Sequence, residues 1–286
     1  MTTRVAAVQM SSGPDPQANL AAAVDLVHAA ADAGATYVQL PEYFNYLGPR
    51  EHFCAVSETI PGPTTTRLGA VAASRAIALH LGSMLETFDG RYCCNTSVVL
   101  DASGDIVATY RKAHLFDINV PGVVVQRESD SLRAGDELVV ASVQGLRLGL
   151  SICFDLRFPE LYRQLALSGA DVFAVPSAFT AQTGPFHWEV LVRARAIENH
   201  AFVIAAAQQG TTVDGISTFG HSLIVDPWGV VLAESSSAGE EVLVATVDVD
   251  EVARRRRHLA VLNQRRPELY DAPAHAAGPP SVTTAP

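Results

Sequence analysis

An α/β fold is what the sequence predicts, and three observations carry that prediction. Short apolar runs of strand length alternate with amphipathic stretches of helix length along nearly the whole chain. Hydrophobic residues make up 48% of the 286 and charged residues only 17%, which suits a large core and excludes general disorder. Between Arg4 and Tyr270 nothing has the composition of a linker. One domain over residues 1–270 is therefore expected, followed by a flexible Pro-, Ala- and Thr-rich tail over 271–286.

The elements follow in order. A strand over Val5–Met10 leads through Gly13-Pro14-Asp15-Pro16 into a helix over Ala18–Ala33. Its apolar stripe is Leu20, Val24, Val27 and Ala31, and Gly34 ends it. Tyr37–Leu40 reads as a strand, Pro63–Ala76 as a helix, and Leu79–Gly82 and Ser97–Leu100 as strands. Asp101-Ala102-Ser103-Gly104-Asp105 is a hairpin turn into a strand ending at Tyr110. Residues 114–146 form a loop-rich excursion whose length suits a flap over a site. A buried strand over Leu146–Ile152 runs into a helix reaching Leu167, with Gly169 beyond it. Val172–Val175 and Phe202–Ala207 are core strands that flank a helix over Pro185–Asn199, opened by Gly-Pro. Ser222–Val225 and Val242–Val247 complete the sheets.

Three reactive side chains stand where strands end. Glu42 follows the Tyr37–Leu40 run, Lys112 follows the run ending at Tyr110, and Cys153 follows Leu146–Ile152. In α/β sheets ligands gather at such exits. A cysteine at a strand-to-helix junction meets a helix N-terminus, which favours the thiolate, and the N–H groups of the turn can collect a developing oxyanion. Any one of these residues alone reads as a core thiol, a cap or a solvated charge. Together they suit acyl transfer by a thiol nucleophile.

Several function classes fit poorly. Twenty Lys and Arg against thirty Asp and Glu leave a net charge of −10, the wrong sign for nucleic acid. The run Arg254–Arg257 is the one basic cluster, and it reads as a solvated helix end or a subunit contact. Cysteines at 54, 93, 94 and 153 have neither metal-ligand spacing nor a disulfide framework, so no metal and no cofactor are expected and a reducing, cytoplasmic location is. The apolar N-terminal run is too short to span a membrane or to serve as a signal peptide.

Ordered motifs sharpen this reading. Leu40-Pro41-Glu42, Tyr110-Arg111-Lys112-Ala113-His114-Leu115-Phe116-Asp117, Gln126-Arg127-Glu128-Ser129 and Ser151-Ile152-Cys153-Phe154-Asp155-Leu156-Arg157-Phe158-Pro159-Glu160 occur in sequence. Thr183–Glu189, Arg193–Asn199, Gly220-His221-Ser222, Asp226-Pro227-Trp228-Gly229 and Arg265–Tyr270 continue the pattern. In these segments the chain resembles the nitrilase, or carbon–nitrogen hydrolase, superfamily from about Val5 to Tyr270. True nitrilases usually follow the cysteine with Trp-Glu; Phe154-Asp155 resembles instead the Nit branch of amidases.

The resemblance implies a four-layer α-β-β-α sandwich, a homodimer or larger homo-oligomer, and a small-molecule amide substrate. It carries Glu42, Lys112, Cys153 and Glu128 into catalytic roles. Glu42 serves as base, Lys112 and the Phe154 N–H as oxyanion donors, and Glu128 as the partner of Lys112. The substrate it implies is a small primary amide with an α-keto carboxylate head, deaminated glutathione above all, hydrolysed to acid and ammonia through a Cys153 thioester. Arg157, one turn past the cysteine, is the candidate for the keto-acid carboxylate, and Tyr46, Phe179 and Thr183 for the pocket wall. An ω-amidase acting on 2-oxoglutaramate or 2-oxosuccinamate, an N-carbamoyl amide hydrolase and a catalytically silent interaction protein are the alternatives.

Overall fold

A computed structural model describes residues 2–120, 124–213, 215, 217–236 and 239–270; the expected tail over 271–286 lies outside the described residues. In chain order the elements are β1 Thr2–Gln9, α1 Pro16–Asp32, β2 Tyr37–Gln39, α2 Pro63–Arg75, β3 Ala78–His80, β4 Met84–Thr87, β5 Cys93–Leu100 and β6 Ile106–Arg111. There follow β7 Asp117–Val120, β8 Val124–Arg127, β9 Val140–Val143, β10 Leu146–Leu150, α3 Pro159–Leu167, β11 Val172–Ala174, α4 Gly184–Asn199 and β12 Phe202–Ala205. The last are β13 Gln209–Thr211, β14 Ser217–Phe219, β15 Leu223–Val225, β16 Val231–Glu234, β17 Glu241–Asp248, α5 Val249–His258 and α6 Pro267–Tyr270.

Two sheets form the centre. One runs β17-β1-β2-β3-β5-β4, with β6 also on β5; the other runs β16-β15-β12-β11-β10-β9. The alternation of β1 explains why they stack. Val5 and Ala7 point into a core shared with Leu148, Val172 and Ile204 of the second sheet, whereas Ala6 and Val8 face Val24, Val27 and Leu68 of α1 and α2. On the far side Leu161, Tyr162 and Leu165 of α3 and Trp188, Val192 and Ala196 of α4 join the core of the second sheet. The result is the α-β-β-α sandwich. Polar ties cross between the sheets as well: the Gln39 Nε2 donates to the Ile204 carbonyl at 2.9 Å. A buried amide there needs such a partner, which fixes how the sheets register.

Several elements differ from the sequence reading. The strand expected from Ser97 starts at Cys93 and forms a hairpin with β4, Met84 opposite Thr96 and Thr87 opposite Cys93. The excursion over 114–146 holds the antiparallel hairpin β7–β8 and the edge strand β9. The stretch after Ile152 is a 3₁₀ turn over Cys153–Arg157, and the α-helix begins only at Pro159. Proline sets φ for a first helical turn and lacks the N–H that turn leaves unpaired. The basic run lies in α5, where Arg254 pairs with Asp248 and Glu251, Arg255 with Glu251, and Arg256 with Asp171. It is a helix end that neutralises acids. Among the described residues no helix is long and apolar enough to cross a membrane.

Candidate active site

Glu42, Lys112 and Cys153 meet at one end of the two sheets, each just past its strand. At the exit of β2 the chain turns sharply, with Tyr43 at φ +56°. Ser83 holds that turn: its hydroxyl accepts from the Tyr43 N–H at 3.1 Å, and its own N–H donates to the Pro41 carbonyl at 3.3 Å. The preceding residue must be glycine. A Cβ on Gly82, itself at φ +56°, would lie 2.0 Å from the Pro41 carbonyl oxygen.

Buried Glu42 is surrounded by donors. Its Oε1 accepts from Lys112 Nζ and from Asn95 Nδ2, both at 2.9 Å, and its Oε2 accepts from the Ala178 N–H at 2.8 Å. Lys112 is only 1% exposed, and its ammonium also donates to Glu128 at 2.9 and 3.2 Å. Burial works against this charge, but the carboxylates of Glu128 and Glu42 outweigh it and raise the Lys112 pKa. Glu128 accepts two further bonds, from the Tyr43 hydroxyl at 3.0 Å and the Phe116 N–H at 2.7 Å. Burial disfavours its ionised form too, yet Lys112 and the Phe116 N–H hold its carboxyl below the usual range. Glu128 is thus a buried member of the network rather than a surface carboxylate of the flap.

Cys153 begins the 3₁₀ turn with φ +46°, a strained conformation for a residue bearing a Cβ. Its N–H donates to the Pro176 carbonyl at 2.9 Å, while the Phe154 N–H has no protein acceptor among the described residues. The fold therefore leaves one donor free beside the sulfur. Asp155, fully buried, braces the turn. One of its oxygens accepts from the Ile152 N–H and the Tyr110 hydroxyl, both at 2.8 Å. The other accepts from the His114 N–H at 3.0 Å and faces His114 Nδ1 at 2.7 Å. One carboxylate so ties the exit of β6, and with it Lys112, to the cysteine turn.

The expectation of a thiolate favoured by a helix N-terminus is corrected here. Burial first, and then the Glu42 carboxylate, push the Cys153 thiol well above its ordinary range; the Lys112 charge opposes them and loses. The α-helix starts too far along the chain, at Pro159, to change this outcome.

A cleft opens above the thiol, lined by Tyr43, Arg50, Phe53, Phe116, Gln126 and Phe154 as well as the network itself. Arg157, Phe179 and Thr183 line it as expected. The Arg157 guanidinium stacks over the rings of Phe179 and Phe154, with centroid distances of 5.1 and 5.9 Å, and contacts His187 Nδ1 at 3.2 Å. Burial works against its charge, and among the described residues no carboxylate pairs with it. Tyr46 is not part of the wall. The turn at Tyr43 sends it behind, where its ring packs edge-on to Phe53 and its hydroxyl donates to the Pro49 carbonyl at 3.1 Å. Tyr43, Asn95, Asp155 and Arg50 went unselected in the sequence, because each acts through a partner remote in the chain. Among the described residues no group of three or more His, Cys, Asp or Glu is placed to hold a metal ion.

Set in this way, a buried thiol, a carboxylate, an ammonium and a free N–H can carry out nucleophilic acyl transfer. Known proteins agree with that chemistry. Residues 4–257 match the carbon-nitrogen hydrolase family. Deaminated glutathione amidase of Mus musculus is 40% identical over 279 residues, 95% of this chain and 85% of that one. An omega-amidase of Mus musculus is 38% identical over 269 residues, 94% of this chain and 97% of that one. The NitFhit protein of C. elegans superposes with a TM-score of 0.88 at 36% identity, over 94% of this chain and 66% of that one. By sequence over most of its length, and by fold, the chain belongs to the carbon-nitrogen hydrolase family.

Proposed function

We propose that this enzyme is an amidase that cleaves amides carrying an α-keto carboxylate head, with Cys153 as nucleophile and Glu42 as the base and acid that serves it. The observation that carries this reading is the Glu42–Lys112–Glu128 network closed beneath the Cys153 thiol. Glu42 Oε1 accepts two bonds, from Lys112 and Asn95, and Oε2 only one, from the Ala178 N–H, so Oε2 is the oxygen with a lone pair for the thiol proton. The thiol is neutral at rest, so its proton leaves as sulfur attacks the amide carbon.

A C–S bond forms and the carbonyl pair moves to oxygen, where the Phe154 N–H and Lys112 stabilise the oxyanion. Glu42 then returns the proton to nitrogen, the C–N bond breaks and the amine leaves a thioester on Cys153. Water, losing a proton to Glu42, attacks that thioester; the C–S bond breaks, the carboxylic acid departs, and Glu42 returns the proton to sulfur, restoring both the thiol and its own carboxylate. Glu128 keeps Lys112 charged and in place throughout.

Arg157 supports the keto-acid head, since it is a half-buried guanidinium in the cleft with no carboxylate partner among the described residues. Deaminated glutathione is the substrate named for one relative, and omega-amidase is the name of the other. The two substrate types share the acyl half and differ in the leaving group. Atom balance corrects one expectation: cleaving deaminated glutathione at its keto-acid amide breaks a secondary amide and releases cysteinylglycine, whereas only the short primary amide releases ammonia. The test is therefore 2-oxoglutarate formation from deaminated glutathione and from 2-oxoglutaramate by the wild type and Arg157→Ala. The variant is expected to raise KM about tenfold or more for both substrates. An unchanged KM removes Arg157 from the carboxylate site, and no 2-oxoglutarate from either amide refutes the substrate class.

A homo-oligomer and a cytoplasmic location belong to the same proposal. Exposed Phe186, Val190 and Ile197 on α4 lie beside exposed Trp228 and Val230, an apolar face that suits a second copy. The four cysteines are unpaired, which suits a reducing compartment. Light scattering on the purified protein tests the first point: a monomer at micromolar concentration contradicts it.

A further inference from the structure

Arg50 is a second half-buried cation in the cleft; its charge helps to lower the Glu128 pKa, but among the described residues it makes no hydrogen bond to Glu42, Lys112, Glu128 or Cys153. Its Nη2 donates to the Gln126 Oε1 at 2.7 Å, a neutral partner that orients the guanidinium without neutralising it. Several arginines elsewhere in the chain meet acids, as Arg111 meets Glu86, Arg195 meets Glu198 and Arg256 meets Asp171. Among the described residues Arg50 has no such pair. Nearby Glu128 is fully engaged, its oxygens accepting from Lys112, Tyr43 and Phe116. Arg50 also reaches the cleft from a different direction than Arg157. It stands on the loop after β2, in the first sheet, and is braced by β8; Arg157 stands on the turn after β10, in the second.

We propose that Arg50 forms a second carboxylate subsite, so that the preferred substrate is a dicarboxylate: a keto-acid amide extended on its nitrogen side by a short peptide with a free C-terminus. This deepens, and rests on, the keto-acid amidase reading above. Arg157 takes the head, Cys153 attacks the amide between, and Arg50 grips the far carboxylate through its planar pair of N–H donors. A short amide such as 2-oxoglutaramate carries nothing for Arg50 to hold. Binding energy gathered at that distance from the scissile bond enters kcat/KM.

The experiment compares deaminated glutathione with its C-terminal carboxamide, following 2-oxoglutarate, on wild type, Arg50→Gln and Arg50→Lys. In wild type the acid is expected to exceed the carboxamide in kcat/KM by about tenfold or more, the scale of one charge-assisted contact. That ratio is expected to fall toward one in Arg50→Gln and to lie between in Arg50→Lys. Because it is taken within each enzyme, a general loss of activity leaves it readable. A wild-type ratio near one, or a wild-type-like ratio in both variants, overturns the subsite. If wild type cleaves neither compound but does cleave 2-oxoglutaramate, the subsite falls and the amidase reading stands. If all three amides are inert, the amidase reading falls and takes the subsite with it.

Discussion

Replacing Glu128 by Gln keeps the side-chain shape and removes one charge, so it isolates what that charge does. Both carboxylate oxygens face donors only: Lys112 and the Tyr43 hydroxyl on one side, Lys112 and the Phe116 N–H on the other. The amide NH₂ must therefore point at a donor whichever way it flips, and the Lys112 ammonium, 1% exposed, keeps only Glu42 as a counter-charge. Breaking a buried pair from one side costs about 3–5 kcal/mol. Urea denaturation is expected to read a loss of that order. If about 3 kcal/mol of it appears in the transition state through a displaced Lys112, kcat falls by about two orders of magnitude. Matched denaturation curves and 2-oxoglutarate-release kinetics on wild type and Glu128→Gln provide the check. A variant within about 1 kcal/mol of wild type that also retains most of its kcat refutes the reasoning, because the charge then does nothing the shape does not.

Two further predictions concern protons. The Glu42 carboxylate is the second cause, after burial, of the raised Cys153 pKa, so Glu42→Gln is expected to move the midpoint of the pH profile for Cys153 alkylation downward. A midpoint that stays or rises contradicts the contact. His80 is fully buried against the Ser97 hydroxyl at 3.1 Å, and burial lowers its pKa to about 3. Its folded value lies below its unfolded one, so its effect is absent above about pH 6.5, and below that the unfolded chain gains the proton first. Stability then falls toward pH 3, by about 2 kcal/mol at pH 5 from this residue. Denaturation midpoints from pH 7 to pH 5 for wild type and His80→Gln are expected to show a shallower fall in the variant; parallel curves rule His80 out.

What the sequence conveyed, and what it withheld, follows from range. Glu42, Lys112 and Cys153 were legible because an apolar run ending in a reactive residue is a local signal, and three strand exits in one sandwich converge. Glu128 was legible only through its motif, since no local pattern says that its flap folds back onto Lys112. Asn95 was not legible: it meets Glu42 across 53 residues, through a register set by the hairpin of β4 and β5. The ionisation of Cys153 was misjudged for a related reason. A local view sees a junction with a helix, while burial and the Glu42 charge arrive from other parts of the chain. Arg50 opens a short 3₁₀ turn over Arg50–His52 while its partner Gln126 lies on β8, and only the folded chain brings both to one cleft.

The central claim is that Cys153 carries the acyl group. Rapid acid quench of the enzyme with deaminated glutathione or 2-oxoglutaramate, followed by intact-protein and peptide mass spectrometry, tests it most directly. Wild type is expected to gain one 2-oxoglutaryl group on the peptide bearing Cys153, while Cys153→Ala folds normally, gains none and forms no 2-oxoglutarate. Steady turnover by Cys153→Ala, or wild-type turnover with the acyl group on another residue, contradicts the account.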